Sequence, residues 1–496
     1  MRSIFLFAFV LVVAYATAQN YYTDALLYSR NFAGGTARSI GVAGAFGSVG
    51  ADLGSIHINP AGLGLYRSTD MAVTPGLRLG YNQSSFNGNS TNTSFSNVYF
   101  GQAGIAWTLF LKEGSANDEL SFNPNKIRSV TIGLNYQRQS FFTRRTEYSA
   151  TNVGASNATG FANYVNATQS PVNLNNYPPE VVLLRDAGII YQDTSNGNYL
   201  SGVASPVNQY GNMARKGAKD EVSIAVGANV NDKIYFGFGI GIPIVTNLLT
   251  SEFSEVNAND SVIHFNSYLF QDDLRASGVG VNASLGFIYR ATSWMRVGVA
   301  YHLPTFYTLS DEYLLQSQVN FDTAIVTSGV QYAPLRYRFR SPMKGTISMS
   351  FYAKQHAFFS VDYEFMNYGA MRYNFGKDYT AYSERTNNFM KTNYTFGHTL
   401  RAGVEGAHKW FRVRAGYSFS SSPFKKTYGN ATYREAVHSG SIGLGYKGKK
   451  FYADLTYTVS ATKDVHSLMA LADITNKLAS HRVLVTLGWR ITPRKR

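Results

Sequence analysis

The chain of 496 residues carries 45 Lys and Arg against 30 Asp and Glu, a formal net charge of +15, with 45 Gly, 35 Tyr, 33 Phe, 13 Pro and no Cys. The missing cysteines exclude a disulfide framework, thiolate chemistry and cysteine-based zinc sites. The basic residues are scattered along the chain rather than gathered in a patch, which argues against a nucleic-acid partner and suits attraction to anionic lipid headgroups or anionic amphiphiles.

The first element reads as an export signal. Arg2 supplies a positive start, Ile4 to Val13 is unbroken apolar sequence, and Ala16-Thr17-Ala18 fits the small-x-small rule for cleavage before Gln19. No later apolar run approaches the about 20 residues that a spanning helix needs. A membrane location therefore rests on strands.

Residues 37–66, ARSIGVAGAFGSVGADLGSIHINPAGLGLY, follow the signal closely. The small residues Gly41, Ala43, Gly44, Ala45, Gly47 and Gly50 let a backbone fold tightly inside a lumen lined by side chains. Asn59 before Pro60 does not readily continue a helix, so Asn59-Pro60-Ala61-Gly62 reads as a turn aimed at the first strand.

From Thr69 to Ile491 the texture has a period of two. Ile234, Phe236, Phe238, Ile240 and Ile242 share one face, and Tyr235, Gly237, Gly239 and Gly241 the other. Ile347, Met349, Phe351 and Ala353 alternate with Thr346, Ser348, Ser350 and Tyr352, and Val483, Val485, Leu487, Trp489 and Ile491 form one face near the end. Strands are predicted at 69–82, 97–111, 127–141, 221–231, 233–245, 273–290, 294–303, 335–353, 356–375, 396–408, 410–420, 437–447, 450–460 and 481–491. Less regular pairing candidates lie at 248–268 and 307–328. These amount to about 14 to 16 strands, many near the length a tilted membrane strand requires. Asn231-Asp232 and Gly448-Lys449 are short turns, whereas residues 143–220 form a long loop. Within that loop, Pro178-Pro179-Glu180 ahead of an apolar run predicts a short helix, either covering the mouth or packed on its own loop.

The expected organisation is a signal peptide at 1–18, a hatch or plug at 19–68, an all-β transmembrane antiparallel barrel at 69–491, and a basic tail at 492–496. Ser39 to Tyr66, with its glycine-rich run, the Gly50-Ala51-Asp52 step and the Asn59-Pro60-Ala61-Gly62 element, closely resembles the N-terminal hatch of the FadL/TodX family of outer-membrane transporters for long-chain fatty acids and other hydrophobic compounds. Three further segments are similar to that family in order: Arg340-Ser341-Pro342; Val361-Asp362-Tyr363-Glu364-Phe365-Met366-Asn367-Tyr368; and Arg414-Ala415-Gly416-Tyr417 with Ser422-Pro423.

The resemblance implies a passive outer-membrane transporter in a Gram-negative-type bacterium, a barrel of about 14 strands with no cofactor. In it the hatch blocks an open channel, shifts to pass a hydrophobic or amphipathic ligand, and lets it leave sideways through the wall. Asn59, Pro60, Ala61 and Gly62 are the candidate gating residues. Pro75-Gly76 and Gly133 are the candidate wall irregularities. Arg336, Arg338 and Arg340, one face of a single strand, either meet a ligand carboxylate in the lumen or form a basic rim. The expected partners are outer-membrane lipids and a hydrophobic small molecule. Two other readings stand beside transport: a non-transporting barrel that partners exported proteins, and uptake of a haem-like ligand, for which His57 is the only positional hint.

The C-terminal strand departs from the usual barrel ending, since Trp489 stands two places before Ile491 and a basic tail follows. Ser341-Pro342-Met343-Lys344 matches an acyl-transfer motif without its helical context. Gly237-Phe238-Gly239 and Gly278-Val279-Gly280 lack the surrounding βαβ unit of a dinucleotide site. The nine His residues show no metal-ligand spacing. No enzyme chemistry is expected.

Overall fold

The computed structural model describes residues 21–30, 32, 34–111, 127–167, 179–203, 205–258, 265–427, 436–466 and 473–491. The signal segment and the tail Thr492–Arg496 lie outside them. No helix among the described residues is long and apolar enough to cross a membrane; the wall is made of strands.

Strands β1 (Thr69–Phe86), β2 (Asn89–Phe110), β3 (Ser129–Phe141) and β4 (Arg144–Val153) precede a loop that holds the two-stranded ribbon β5 (Ile190–Gln192) and β6 (Tyr199–Ser201). Three long strands follow, β7 (Val207–Val230), β8 (Ile234–Asn257) and β9 (Phe265–Tyr289). Then come β10 (Met295–His302), β11 (Phe306–Phe321), β12 (Ile325–Gln331), β13 (Leu335–Arg340), β14 (Lys344–Ala353), β15 (Ala357–Asn367) and β16 (Arg372–Asn374). The chain closes with β17 (Phe396–His408), β18 (Phe411–Ser420), β19 (Val437–Lys447), β20 (Phe451–His466) and β21 (Ile474–Ile491).

Except for the ribbon, all pair antiparallel in one sheet, and β1 pairs with β21 from Thr69↔Ile491 to Ser85↔Thr475, which closes it. Consecutive segments merge where a short kink divides one wall strand. For example, β10 and β11 both pair with β9, and the kink at 303–305 joins them. The result is a closed barrel of 14 wall strands.

The alternation sorts as the pattern requires. Phe236, Phe238, Ile240 and Ile242 of β8 are exposed on the outside, while Tyr235 is buried inside. Ile347 and Met349 face out and Thr346, Ser348 and Ser350 in, and Val483 to Ile491 follow the same rule. An outward apolar band over a polar-lined interior is the signature of a membrane barrel. Tight turns close one rim, such as Asn231-Asp232, both in the left-handed region at φ 54 and 55. Longer loops crown most of the other.

The long-loop side carries more structure than the pattern suggests. Helices α4 (Asn157–Ala167) and α5 (Pro179–Asp186) sit in the loop after β4. Val181, Leu183 and Leu184 of α5 are buried with Phe161, Tyr268 and Leu315, so this helix packs on its own loop and on the upper strands. Helix α6 (Thr380–Asn393) occupies the loop after β16.

Candidate functional site: the hatch and the wall around it

Helix α1 (Tyr21–Ser29) lies inside the long-loop half of the barrel. Tyr21 meets Tyr337, Tyr373 and Phe375 edge-on at centroid separations of 5.6, 5.5 and 4.8 Å, and Tyr22 stacks on Phe389 of α6 at 3.8 Å. Asp24 pairs with Arg215 at 2.9 Å. This helix was not foreseen within the hatch, and it fills the lumen above it.

The chain then descends to α2 (Ala37–Gly41), α3 (Ser55–Ile58) and a 3-10 turn, Pro60–Leu65. Thr36 caps α2 by accepting from the Ser39 N–H at 3.1 Å and donates to Asp52 at 2.8 Å. Burial pushes the Asp52 carboxyl up from its usual range, against the pull of Arg38 and the hydrogen bonds from Thr36 and Gly54.

Wall side chains then tie the hatch backbone down. Ala37 N donates to Thr486 Oγ1 at 2.7 Å, Ala43 N to Ser441 Oγ at 3.0 Å, and Phe46 N and Gly47 N to Asp362 Oδ2 at 3.0 and 2.9 Å. Arg38 meets Glu405 at 3.2 Å, and Arg414 bridges Glu405 and Asp454 at 2.7 and 2.6 Å. Each charge is thereby paired in a buried setting.

The Asn59-Pro60-Ala61-Gly62 element is wholly buried. Asn59 donates to Gly47 O at 2.7 Å and accepts from Ala61 N at 3.1 Å, so one side chain holds both the preceding loop and the turn. The element rests on bare wall. A Cβ at Gly237 would lie 2.1 Å from the Pro60 carbonyl carbon, and one at Gly286 would lie 2.1 Å from Asn59 Oδ1. These wall glycines exist for close backbone approach. Gly62 is equally confined, since its Cβ would meet Ser55 Cβ at 2.7 Å.

His57 is buried and bonded through Nδ1 to Glu221 at 3.2 Å, and Gln139 donates to the same carboxylate at 2.8 Å. The two line a polar cavity of about 60 Å³ with Lys219, His302 and Lys344. Among the described residues no cluster of His, Cys, Asp and Glu has metal-site geometry.

Among the described residues, the ladder between β2 and β3 breaks beside the hatch. β2 pairs with β1 along almost its whole length, but with β3 only from Gln102↔Gln137 to Phe110↔Ser129. Above that point β3 bulges at Gln139, and β4 pairs with β7 instead. On the side away from β1, Asn89 to Gly101 show side-chain links only among the described residues, such as Thr93 Oγ1 donating to Arg145 O at 2.8 Å. Val98, 83% exposed, stands on this edge, and Phe32 donates its N–H to Gln139 O at the lower end.

One sequence expectation needs correction. Gly133 is regularly paired on both sides and faces Ile56 and Leu63 of the hatch, so it seats the plug; the irregularity in β3 is at Gln139. Pro75 does mark a register shift, between Thr74 and Pro75. Arg336, Arg338 and Arg340 point outward, while Tyr337 and Phe339 point into the lumen against α1. Their placement is that of an outer basic stripe, as in the rim alternative.

The closed 14-strand antiparallel barrel matches the barrels of FadL-like channels in fold. The toluene transporter TodX of Pseudomonas putida matches over 94% of this chain and 100% of its own, at 10% identity and a TM-score of 0.57. A Pseudomonas aeruginosa FadL homologue matches over 93% and 100%, at 10% identity and 0.54, and the toluene transporter TbuX of Ralstonia pickettii over 93% and 99%, at 14% and 0.51. At these identities the likeness is one of fold. No protein-family model matches the sequence, and no curated protein does.

Proposed function

We propose that this protein is an outer-membrane channel for passive entry of hydrophobic or amphipathic small molecules, fatty acids among them. The hatch serves as its gate, and the unpaired edge of β2 beside β4 as its lateral exit. Supporting this is the broken ladder between β2 and β4, which leaves a wall strand unpaired on one side next to the hatch. A barrel that only anchors itself has no use for such a gap, because each backbone group left without a partner in lipid costs free energy. The short-turn rim then faces the periplasm and the long-loop rim the exterior, after cleavage before Gln19.

A cross-link tests the exit. The chain has no Cys, so Thr93→Cys with Thr146→Cys, two buried side chains on the inner face of the gap, introduces one pair across it. Oxidation is expected to slow uptake of a radiolabelled fatty acid into cells by about tenfold, and reduction to restore it. Unchanged uptake in the oxidised form, with the cross-link verified by mass, refutes a lateral route here.

A second reading draws on the filled lumen. α1 and the hatch occupy the interior, and the long-loop side has an apolar core of its own. In that reading the external shell docks an exported protein and nothing crosses the barrel. Fatty-acid uptake that is equal with and without the gene favours it over transport.

A further inference from the structure

On the outward stripe of β13, Arg336, Arg338 and Arg340 are exposed, and none has a hydrogen bond or ion pair among the described residues. They stand two residues apart, roughly 7 Å along the strand. Across the ladder Arg340 faces Arg372 of β16 directly, and like charges placed opposite on one sheet face repel. The Arg372 guanidinium is held by Gly369 O at 2.8 Å and Met371 O at 2.6 Å. Four guanidiniums are thus gathered on one outer surface with no ion pair among the described residues; the outward acid on the paired strand, Glu312, stands two residues beyond Ser310, the ladder partner of Arg336.

Their height on the barrel says what lies beside them. Toward the short-turn rim the same surface is apolar: Met343, Ile347 and Met349 on β14, with Leu303 and Tyr301 on the neighbouring strand. On the other side, Arg340 pairs with Phe306, which is 62% exposed. The stripe begins where the lipid-facing band ends. A repeated aromatic motif marks this boundary elsewhere around the barrel. Tyr363, Tyr417 and Tyr457 each share a hydrogen bond with an outward His, His398, His438 and His481, at 2.7, 2.7 and 2.6 Å. Each Tyr stands six residues beyond its strand start at Ala357, Phe411 or Phe451, by subtraction of the numbers. Such a girdle sits at the level of headgroups.

We infer that Arg336, Arg338, Arg340 and Arg372 bind the phosphate groups of a bisphosphorylated glycolipid of the outer leaflet. Its acyl chains lie on Phe306, Leu303, Met343 and Ile347. A planar guanidinium engages phosphate in a bidentate manner, and the adjoining apolar surface distinguishes a lipid from free phosphate. The inference rests on the long-loop rim facing outward and is independent of what crosses the lumen.

Delipidated barrel in neutral detergent, titrated with bisphosphorylated lipid A and followed by native mass spectrometry, tests it. The variant R336Q/R338Q/R340Q is expected to bind about a hundredfold more weakly, at roughly fivefold per basic residue near an anionic surface. The short-turn-rim variant K409Q/K449Q/K450Q keeps the wild-type affinity. Heat-modifiable gel mobility verifies folding of each, and Arg338→Gln alone, expected at about fivefold, serves if the triple variant does not assemble. Equal lipid A binding by folded wild type and stripe variants overturns the proposal. So does displacement of the lipid by millimolar inorganic phosphate, which makes the stripe a site for free anions.

Discussion

Replacing Gly237 by alanine places a methyl group 2.1 Å from the Pro60 carbonyl carbon and 2.2 Å from Ala61 N. Both neighbours are backbone, so no side chain can rotate away, and either the hatch or the wall must move. The wall at this point is paired on both sides, Gly237 with Gly227 and with Gly286, so the hatch is the part that yields. Overpacking of this kind costs about 1–3 kcal/mol, which lowers the ratio of seated to unseated hatch by roughly 5- to 150-fold. Single-channel recording in planar bilayers reads that ratio as open time. Gly237→Ala is expected to show frequent openings where the wild type is closed, and Gly406→Ala none, because a Cβ there meets nothing within 4 Å. Wild-type closure in a folded Gly237→Ala barrel refutes the view that the Asn59 to Gly62 element is the seated gate.

Two further outcomes follow from the charges. Arg414→Ala leaves Glu405 and Asp454 buried without their shared partner. The expected loss is about 3–5 kcal/mol, seen as a lower temperature for loss of heat-modifiable gel mobility. The external loop has a pH dependence of its own. Burial, reinforced by the charge of Asp272, pushes Glu180 up to about 7, so its protonated form fits the folded loop. The contribution is full below the ordinary carboxyl range near 4.5 and is lost as pH rises through about 7. Limited proteolysis near α5 is expected to be slow at pH 5 and fast at pH 8, and Glu180→Gln to abolish the difference.

Much of the barrel was legible because lipid imposes a strict alternation. In β8 and β21 the apolar face read from the sequence is the outer face of the wall, and the expected start at Thr69 and end at Ile491 coincide with β1 and β21. The upper strands were cut short. β7 begins at Val207 and β8 runs to Asn257, where 221 and 245 were expected, because beyond the membrane both faces carry polar residues and the period fades. The same boundary explains the arginine stripe. The alternation at 336–340 was legible, but its polar face was left open between a lumen contact and a basic rim, because within the bilayer a polar face turns inward. Above the bilayer the outer face meets headgroups and water, and the inner face meets α1. Helix α1 left no signal of its own, since its nine residues have a weak apolar side and are buried by aromatics from distant strands. The small residues of the hatch were visible, whereas their complement, the glycines at 237 and 286, read only as gaps in a strand.

The hydrogen bond from Ala37 to Thr486 spans 449 residues, and its neighbours reach Ser441 and Thr456 in the last hairpins. The segment made first is therefore fastened by the segments made last. Once β1 and β21 have zipped together there is no easy way to insert a helix and a folded plug from either end. The N-terminal residues must already be threaded when the seam forms, so they act as a mandrel around which the wall is wound. Mistakes in the plug would then appear as barrels that never close, before any question of passage arises.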